Sequence, residues 1–299
     1  QAVERSALTA ARDGRLAEAE ALFRYVINSD SSRVGSHVNL ATVLSAQGRF
    51  EPAIDCFDRA LELAPAEVTA WFNRGNALAR LAQHGQAIQS FERALALAPD
   101  DADIHWNLSL SLLALGEYRR GWQEYEWRWQ APGFLSSQPR LTSSPAWCGG
   151  APLAGRTLLL HAEQGLGDTI QFARYASLAA QNGASVCLMV PQKLTRLLRG
   201  LKSEVSVVPD AGPLPPHDLQ SSLMSMPLAF GTELETIPSA RAYLVADPEQ
   251  AKQWRARLGP YQRPRVGLMW RGAFNSRLPG RHVDPEALFQ CMPADIDLV

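Results

Sequence analysis

The sequence predicts an α-helical solenoid followed by an α/β part with a parallel sheet, and two observations carry this prediction. Over the first 130 positions, residues recur with a period of 34, which is typical of stacked helical hairpins. After about residue 155, short apolar runs alternate with helical patterns, which indicates β–α–β units. The length of 299 residues also favours more than one domain.

Aromatic and small residues carry the 34-residue period. An aromatic side chain recurs at this spacing in Phe23, Phe57, Phe91 and Tyr125. A glycine series, with one alanine, comprises Gly14, Gly48, Ala82 and Gly116. Small residues at Ala53 and Ala60 let two helices approach closely, and Pro65 ends the second helix. The pattern resembles the tetratricopeptide repeat, a helix–turn–helix unit, with four units over 1–33, 34–67, 68–101 and 102–131.

The last repeat departs from the pattern in its second helix. Arg128 stands where the second and third units have a small alanine, and the helix is rich in aromatic residues such as Trp122 and Trp129. These departures predict that the terminal repeat docks onto the next domain.

A polar series also keeps the period, in Asn39, Asn73 and Asn107. First helices of stacked repeats line the usual binding face of a solenoid, and an amide offers both a donor and an acceptor to a peptide group. The series resembles the repeats of the protein O-GlcNAc transferase family, which implies that it binds the backbone of a polypeptide. The alternative is that these asparagines form hydrogen bonds between helices.

The α/β part follows a loop rich in proline, serine and glycine. Its first elements are a buried strand over Thr157–Ala162, a helix over Asp168–Asn182 and a strand over Ser185–Val190. The later elements expected are helix Lys193–Leu201, strands Val205–Val208 and Ala242–Val245, helix Pro248–Leu258, strand Val266–Trp270 and a short helix over 285–292.

The loop after the first strand is the expected ligand site, because ligands of open α/β sheets bind at the carboxyl ends of strands. Gly165 and Gly167 allow a tight turn and close approach of a ligand, and the following helix N-terminus favours an anion. The loop is not a dinucleotide fingerprint, since no glycine stands at the third glycine position of that motif. Asp168 has an alternative, purely structural role as the helix N-cap. His161, at the strand end, is predicted to be a core histidine with satisfied hydrogen bonds.

The whole stretch from His161 to Tyr175 resembles the first strand–loop–helix of bacterial glycosyltransferases that carry tetratricopeptide repeats. Those enzymes are similar to lipopolysaccharide heptosyltransferases, have the GT-B fold of two Rossmann-like halves, and are linked to glycosylation of proteins, including flagellin. The resemblance implies that Asp168 is the general base. It also implies that substrates are bound by Gln164, Gly165, Gly167, Trp270, Arg271 and Arg281.

The resemblance also implies a domain division. The solenoid covers 1–131, a linker 132–155, the N-terminal Rossmann-like half 156–262, and the start of a nucleotide-sugar-binding half 263–299. Because a complete half needs on the order of 100 residues, the C-terminal half is expected to be truncated, and these 299 residues alone are expected not to transfer sugar.

The composition argues against nucleic acid and against a membrane span. The formal net charge is −1, which gives no support to nucleic acid as a partner, and no apolar run reaches the 18 residues of a membrane span. Four widely separated cysteines favour a reducing cytoplasm, and there is no metal-ligand cluster in the sequence. No cofactor is expected beyond a nucleotide sugar, which would be a substrate.

Three functions remain open from the sequence. The first is a glycosyltransferase whose repeats recruit a protein or glycan acceptor. The second is a repeat scaffold for protein–protein interaction with an incomplete or inactive transferase domain. The third is a different nucleotide-dependent enzyme, against which the missing dinucleotide fingerprint argues.

Overall fold

The computed structural model describes residues 2–135, 144–201, 205–239, 242–268, 284–293 and 295–298. The chain forms two compact units, Gln1–Tyr243 and Leu244–Val299.

The first unit begins with eight helices that form four consecutive hairpins. The first helices of the hairpins are α1 (Ala2–Arg12), α3 (Val34–Ala46), α5 (Val68–Arg80) and α7 (Ala102–Ala114). The second helices are α2 (Leu16–Ser29), α4 (Phe50–Leu63), α6 (His84–Leu97) and α8 (Tyr118–Tyr125). Each hairpin packs on the next, and consecutive first helices touch one another. The predicted helical solenoid is therefore confirmed.

The 34-residue series form the core and the turns of the solenoid. All four aromatic residues of the series are buried, from Phe23 to Tyr125. Small residues are required where helices meet, since a Cβ on Gly75 would lie 2.6 Å from the ring of Phe91. The glycine series ends the first helices in the left-handed conformation, with φ of +76° at Gly14 and +79° at Gly48. The substituted member, Ala82, has φ +58°.

A four-stranded parallel sheet completes the first unit. The strands are β1 (Thr157–His161), β2 (Ser185–Val190), β3 (Val205–Pro209) and β4 (Leu219–Ser222). They lie in the order β3-β2-β1-β4, and β1 pairs with both neighbours. The central strand is a continuous apolar run because a parallel sheet is covered on both faces. Strand β4 was not predicted, because its Gln220, Ser221 and Ser222 give no apolar signal.

The helices of this α/β part are shorter than predicted. They are α9 (Pro132–Leu135), α10 (Leu166–Phe172), α11 (Arg174–Gln181), α12 (Thr195–Leu198) and α13 (Met226–Ala229). The single helix predicted over Asp168–Asn182 is thus two helices that meet at Ala173. The helix predicted over Lys193–Leu201 is one short helix preceded by a 3-10 turn.

The second unit contains α14 (Pro248–Leu258), β5 (Arg265–Val266), α15 (Pro285–Gln290) and β6 (Asp297–Leu298). The two strands pair in parallel. Asp247 caps α14, accepting backbone N–H bonds from the second and third residues of the helix at 3.0 and 3.2 Å. The strand predicted over Ala242–Val245 is wrong, since no strand lies there. Most of the strand predicted over Val266–Trp270 lies beyond the two residues of β5 or outside the described residues.

The predicted fold class is confirmed at the level of a helical solenoid followed by a parallel α/β sheet. The GT-B assignment and the division at 131, 155 and 262 stay predictions. None of the described helices is long and apolar enough to cross a membrane.

Candidate functional site

Asn39, Asn73 and Asn107 occupy one repeated position on the solenoid. Each is the sixth residue of its helix, in α3, α5 and α7 respectively, and each is partly exposed. Because consecutive first helices touch, the three amides recur once per repeat along a single surface.

The surface around these asparagines is defined by helical spacing. In α3, α5 and α7, residues separated by four, three and four positions turn the same way and are at least partly exposed, and Arg5, Leu8 and Arg12 are the corresponding described residues of α1. We refer to this surface as the first-helix face. It comprises Arg5, Leu8, Arg12, Gly35, Asn39, Thr42, Ala46, Thr69, Asn73, Asn76, Arg80, Asp103, Asn107, Leu110 and Ala114.

Neighbouring first helices meet on this face around a cavity of about 110 Å³. Thr42 of α3 lines the cavity together with Asn73, Asn76 and Arg80 of α5. The buried Oγ of Ser45 also borders it and has no hydrogen-bond partner among the described residues. The cavity therefore lies between two repeats and is lined by polar side chains of both first helices together with Phe50 and Phe57.

The side chains of these asparagines form no hydrogen bonds between helices in the described part of the chain. Asn107 donates from Nδ2 to the carbonyl of Asp103 in its own helix at 2.7 Å. The side chains of Asn39 and Asn73 make no hydrogen bond to any described residue. The alternative role in hydrogen bonding between helices therefore has no such bond to rest on in the described part of the chain.

The loop after β1 holds Asp168 in a helix-terminal role. Asp168 is the third residue of α10, and its Oδ2 accepts the backbone N–H of Gly165, the N-cap residue, at 3.1 Å. The predicted N-cap role for Asp168 itself is wrong by three positions, because Gly165 precedes the first helical turn and the carboxylate folds back to it. The side chain of Asp168 remains partly exposed.

The other predicted residues of this loop are Gln164, Gly165 and Gly167. Gln164 donates from Nε2 to the hydroxyl of Tyr125 in the last repeat. Gly165 has φ −67° and Gly167 lies within α10, so neither uses the left-handed conformation that favours glycine. A Cβ on Gly167 would meet open space. The tight turn predicted from these two glycines is therefore not required by the backbone.

Trp270, Arg271 and Arg281 lie outside the described residues. Their predicted roles in binding a nucleotide sugar stay predictions. Within the described part of the chain, no three His, Cys, Asp or Glu side chains lie close enough to hold a metal ion.

A buried ion pair joins the last repeat to the sheet. The sequence pattern does not predict this pair. Arg128 is fully buried and donates from Nε and Nη2 to the two carboxylate oxygens of Glu163, each at 3.0 Å. Its Nη2 also donates to Ser225 at 2.8 Å, and its Nη1 to Glu126 at 2.6 Å. The available signal was an arginine at the small-residue position of the repeat.

Burial and charge compete at this ion pair. Burial alone would lower the pKa of Arg128, but the carboxylates of Glu163 and Glu126 outweigh it and raise that pKa. Burial raises the pKa of Glu163, and the guanidinium of Arg128 offsets part of this effect. The arrangement is that of a paired buried charge, which is costly to break from one side.

His161 ends β1 next to this cluster. It is 5% exposed, and burial lowers its pKa to about 4, so the ring is neutral at pH 7. Its Nδ1 has no hydrogen-bond partner among the described residues. The prediction of a core histidine is thus right about burial and wrong about satisfied hydrogen bonds. The ring borders a cavity of about 200 Å³ with the hydroxyl side chains Ser221, Ser222 and Ser225.

The comparison with protein families confirms the repeats. The family model for the tetratricopeptide repeat matches residues 38–102 and 77–121. These matches lie within the stretch from α3 to the first turn of α8. The solenoid of this chain is therefore built from tetratricopeptide repeats.

Relatives were found among curated proteins and solved structures. Protein FlbA of Caulobacter vibrioides is 27% identical over 191 residues, which cover 57% of this chain and 31% of FlbA. The chain thus spans about a third of the length of that relative. MamA from Desulfovibrio magneticus RS-1 is 20% identical with a TM-score of 0.41, covering 43% of this chain and 72% of MamA. The first tetratricopeptide domain of Spaghetti (RPAP3), bound to the HSP90 peptide SRMEEVD, is 21% identical with a TM-score of 0.38, covering 38% and 90%.

Proposed function

We propose that this protein is an interaction scaffold whose first-helix face binds an extended segment of another polypeptide. The observation that carries the proposal is the series of Asn39, Asn73 and Asn107, which repeats one exposed amide per hairpin on a surface that the core does not use. A residue type that packing does not require, held in register three times, fits recognition better than stability.

The spacing of the repeats matches an extended peptide. Adjacent packed helices lie about 8–10 Å apart, and an extended chain advances about 3.3 Å per residue. One asparagine therefore meets one peptide group in about every three residues. Each amide offers a donor and an acceptor, so it pairs with the N–H and C=O of a backbone whatever the side chains are.

The test uses peptides with altered backbones. A pool of fluorescent 14-residue peptides of uncharged composition is titrated with the 299-residue protein, and the same pool with N-methylated peptide bonds serves as the comparison. Methylation removes the backbone donors, so the binding is expected to weaken by about tenfold or more. Equal affinity for both pools would contradict backbone recognition.

As a second candidate, we propose sugar transfer at the carboxyl end of β1. The observation that favours it is a partly exposed carboxylate, Asp168, in the loop between the first strand and the first helix of a parallel sheet, where ligands of such sheets bind. In this proposal the carboxylate accepts the proton of an acceptor hydroxyl as the hydroxyl oxygen bonds to the sugar carbon and the bond between that carbon and the nucleotide phosphate breaks, which releases the nucleotide. The remaining support is the sequence resemblance.

A nucleotide-sugar panel tests the second candidate. No turnover with any donor of the panel would contradict sugar transfer, and measurable turnover would support it. In that case Asp168→Asn separates the two roles of the side chain, because its amide oxygen still accepts the N–H of Gly165 but does not act as a base. Unchanged turnover in Asp168→Asn would exclude the carboxylate as the base.

A further inference from the structure

The arginines of the solenoid fall into two groups. Residues 1–131 contain thirteen arginines and no lysine. Nine of these arginines form ion pairs with carboxylates of described residues. The four that form none with the described part of the chain are Arg5, Arg12, Arg80 and Arg93.

Three of these four lie on the first-helix face. Arg5 and Arg12 are two turns apart on α1, and Arg80 ends α5. All three side chains are exposed. Arg80 is held over the ring of Phe50, with its guanidinium carbon 5.2 Å from the ring centroid. The fourth, Arg93, lies on a second helix, α6.

Acidic residues are scarce on the same face. Among the residues that define it, only Asp103 is acidic, and it lies on α7, at the opposite end from α1. The face is therefore positive from α1 to α5. This contrasts with the solenoid as a whole, because residues 1–133 contain 17 acidic and 13 basic residues.

We propose that the first-helix face selects extended polypeptide segments that carry carboxylate side chains. This inference rests on the proposed function and adds the chemistry of the partner to it. The asparagines bind the backbone, and the three arginines pair with aspartate or glutamate of the partner. An arginine that lacks an internal carboxylate has its guanidinium donors available for one from outside.

The geometry also predicts the spacing of the carboxylates. Arg12 and Arg80 occupy the same position two repeats apart, with the small residue Ala46 at that position between them. Two steps between neighbouring helices span on the order of 16–20 Å. An extended chain covers this distance in about five to six residues. Two acidic residues about six positions apart should therefore engage both arginines.

A polypeptide suits this face better than a nucleic acid. Single-stranded nucleic acids are held by bases stacked on aromatic side chains as well as by basic residues. None of the residues that define the first-helix face is aromatic; of the two rings that border its cavity, Phe57 is buried and Phe50 lies under the guanidinium of Arg80. The net negative charge of residues 1–133 also opposes a polyanion with charge on every unit.

The experiment compares labelled 14-residue peptides by fluorescence anisotropy with the 299-residue protein at low salt. Four peptide pools are compared. The first is uncharged, and the second carries two glutamates six positions apart. The third carries two glutamates two positions apart, and the fourth two lysines six positions apart. A labelled oligothymidine of equal length is included. We expect the six-spaced glutamate pool to bind about five- to tenfold more tightly than the uncharged pool, an advantage that shrinks as salt rises.

Two triple variants locate the effect. Arg5→Gln, Arg12→Gln and Arg80→Gln together should abolish the preference for glutamate, so that this variant binds the six-spaced glutamate pool and the uncharged pool with equal affinity. The matched control, Arg15→Gln, Arg59→Gln and Arg93→Gln, should keep the preference. In addition, the double variant Arg12→Glu and Arg80→Glu should prefer the lysine pool.

The outcomes separate this inference from the proposed function. If the uncharged pool binds and glutamate adds nothing, or if the first triple variant keeps the preference, the inference is overturned while the scaffold stands. If oligothymidine binds more tightly than every peptide, the face serves nucleic acid and the inference is again overturned. If no pool binds at all, the proposed function itself fails and this inference falls with it.

Discussion

Arg128 shows how a single residue converts a repeat into a docking element. At the corresponding position the second and third repeats bury an alanine, Ala60 and Ala94, and the first repeat buries Val26. In the last repeat a fully buried guanidinium pairs with Glu163, which follows β1. The aromatic residues beside it contact the α/β part as well, since the ring of Trp122 packs edge-on against Phe172 at 5.9 Å. The prediction of a docked terminal repeat is borne out at the level of these contacts.

Removing this arginine should be costly. Arg128→Ala leaves Glu163 buried without its cation, so the free energy of unfolding is expected to fall by about 3–5 kcal/mol. Arg119 is the matched control, because it also reaches the α/β part, through Glu233 at 3.0 Å, but its side chain is 82% exposed. Arg119→Ala should cost less than about 1 kcal/mol. Chemical denaturation measures both, and equal losses would contradict a special role for the buried pair.

His161 makes stability depend on pH in a defined direction. Burial depresses its pKa from 6.5 to about 4. Between these two values the unfolded state therefore binds a proton at this histidine that the folded state does not bind. The stabilisation is complete above pH 6.5 and is lost progressively as the pH falls to about 4, by about 3 kcal/mol at pH 4. His161→Gln removes the titrating group while keeping a polar side chain.

The measurement is the free energy of unfolding of both proteins between pH 7 and pH 4. Wild type should lose stability relative to His161→Gln as the pH falls. Parallel pH profiles would show that His161 is not held neutral by burial.

The ends of the first helices are structural features that the sequence predicts. The period of 34 places glycine at the end of three of the four first helices, and the structure gives these glycines a positive φ. Such positions are predictable because the left-handed conformation is costly for other residues. The end of β4 is the opposite case, since its polar residues face a cavity rather than a core and carry no periodic signal.

Ala82 is the described non-glycine residue with positive φ, at +58°, and it follows α5 where the other three repeats have glycine. Ala82→Gly is therefore expected to raise the free energy of unfolding by about 1 kcal/mol. As a control, Ala79→Gly within α5 should lower it by about 1 kcal/mol, because glycine is a poor helix former. Thermal unfolding distinguishes the two, and a destabilised Ala82→Gly would contradict the assigned strain.

For the chain as a whole, the sequence predicts the repeated helices and the buried strands, but not the contacts by which the last repeat docks onto the α/β part. The solenoid follows from residues 34 apart, and the strands β1 and β2 from buried apolar runs. The pairing of Arg128 with Glu163 joins residues 35 apart in sequence across two different folds, so no local pattern announces it. The same holds for Gln164, which was expected to orient a substrate and instead bonds to Tyr125 of the last repeat.

The first-helix face is the part of the molecule on which the functional account depends. Its asparagines were identified from spacing alone, and their partial exposure agrees with a binding role. The unpaired arginines were not identified, because a sequence does not show which of thirteen arginines find a carboxylate within the fold.

The most direct test is the affinity of the uncharged peptide pool for the variant Asn39→Ala, Asn73→Ala and Asn107→Ala. The matched control changes three exposed amides of second helices, Gln86→Ala, Gln89→Ala and Gln123→Ala. With about 0.5–1.5 kcal/mol per lost hydrogen bond, the asparagine variant should bind at least about tenfold more weakly, and the control should bind like wild type. Undiminished binding by the asparagine variant, with its helical content intact, would contradict peptide binding by these asparagines.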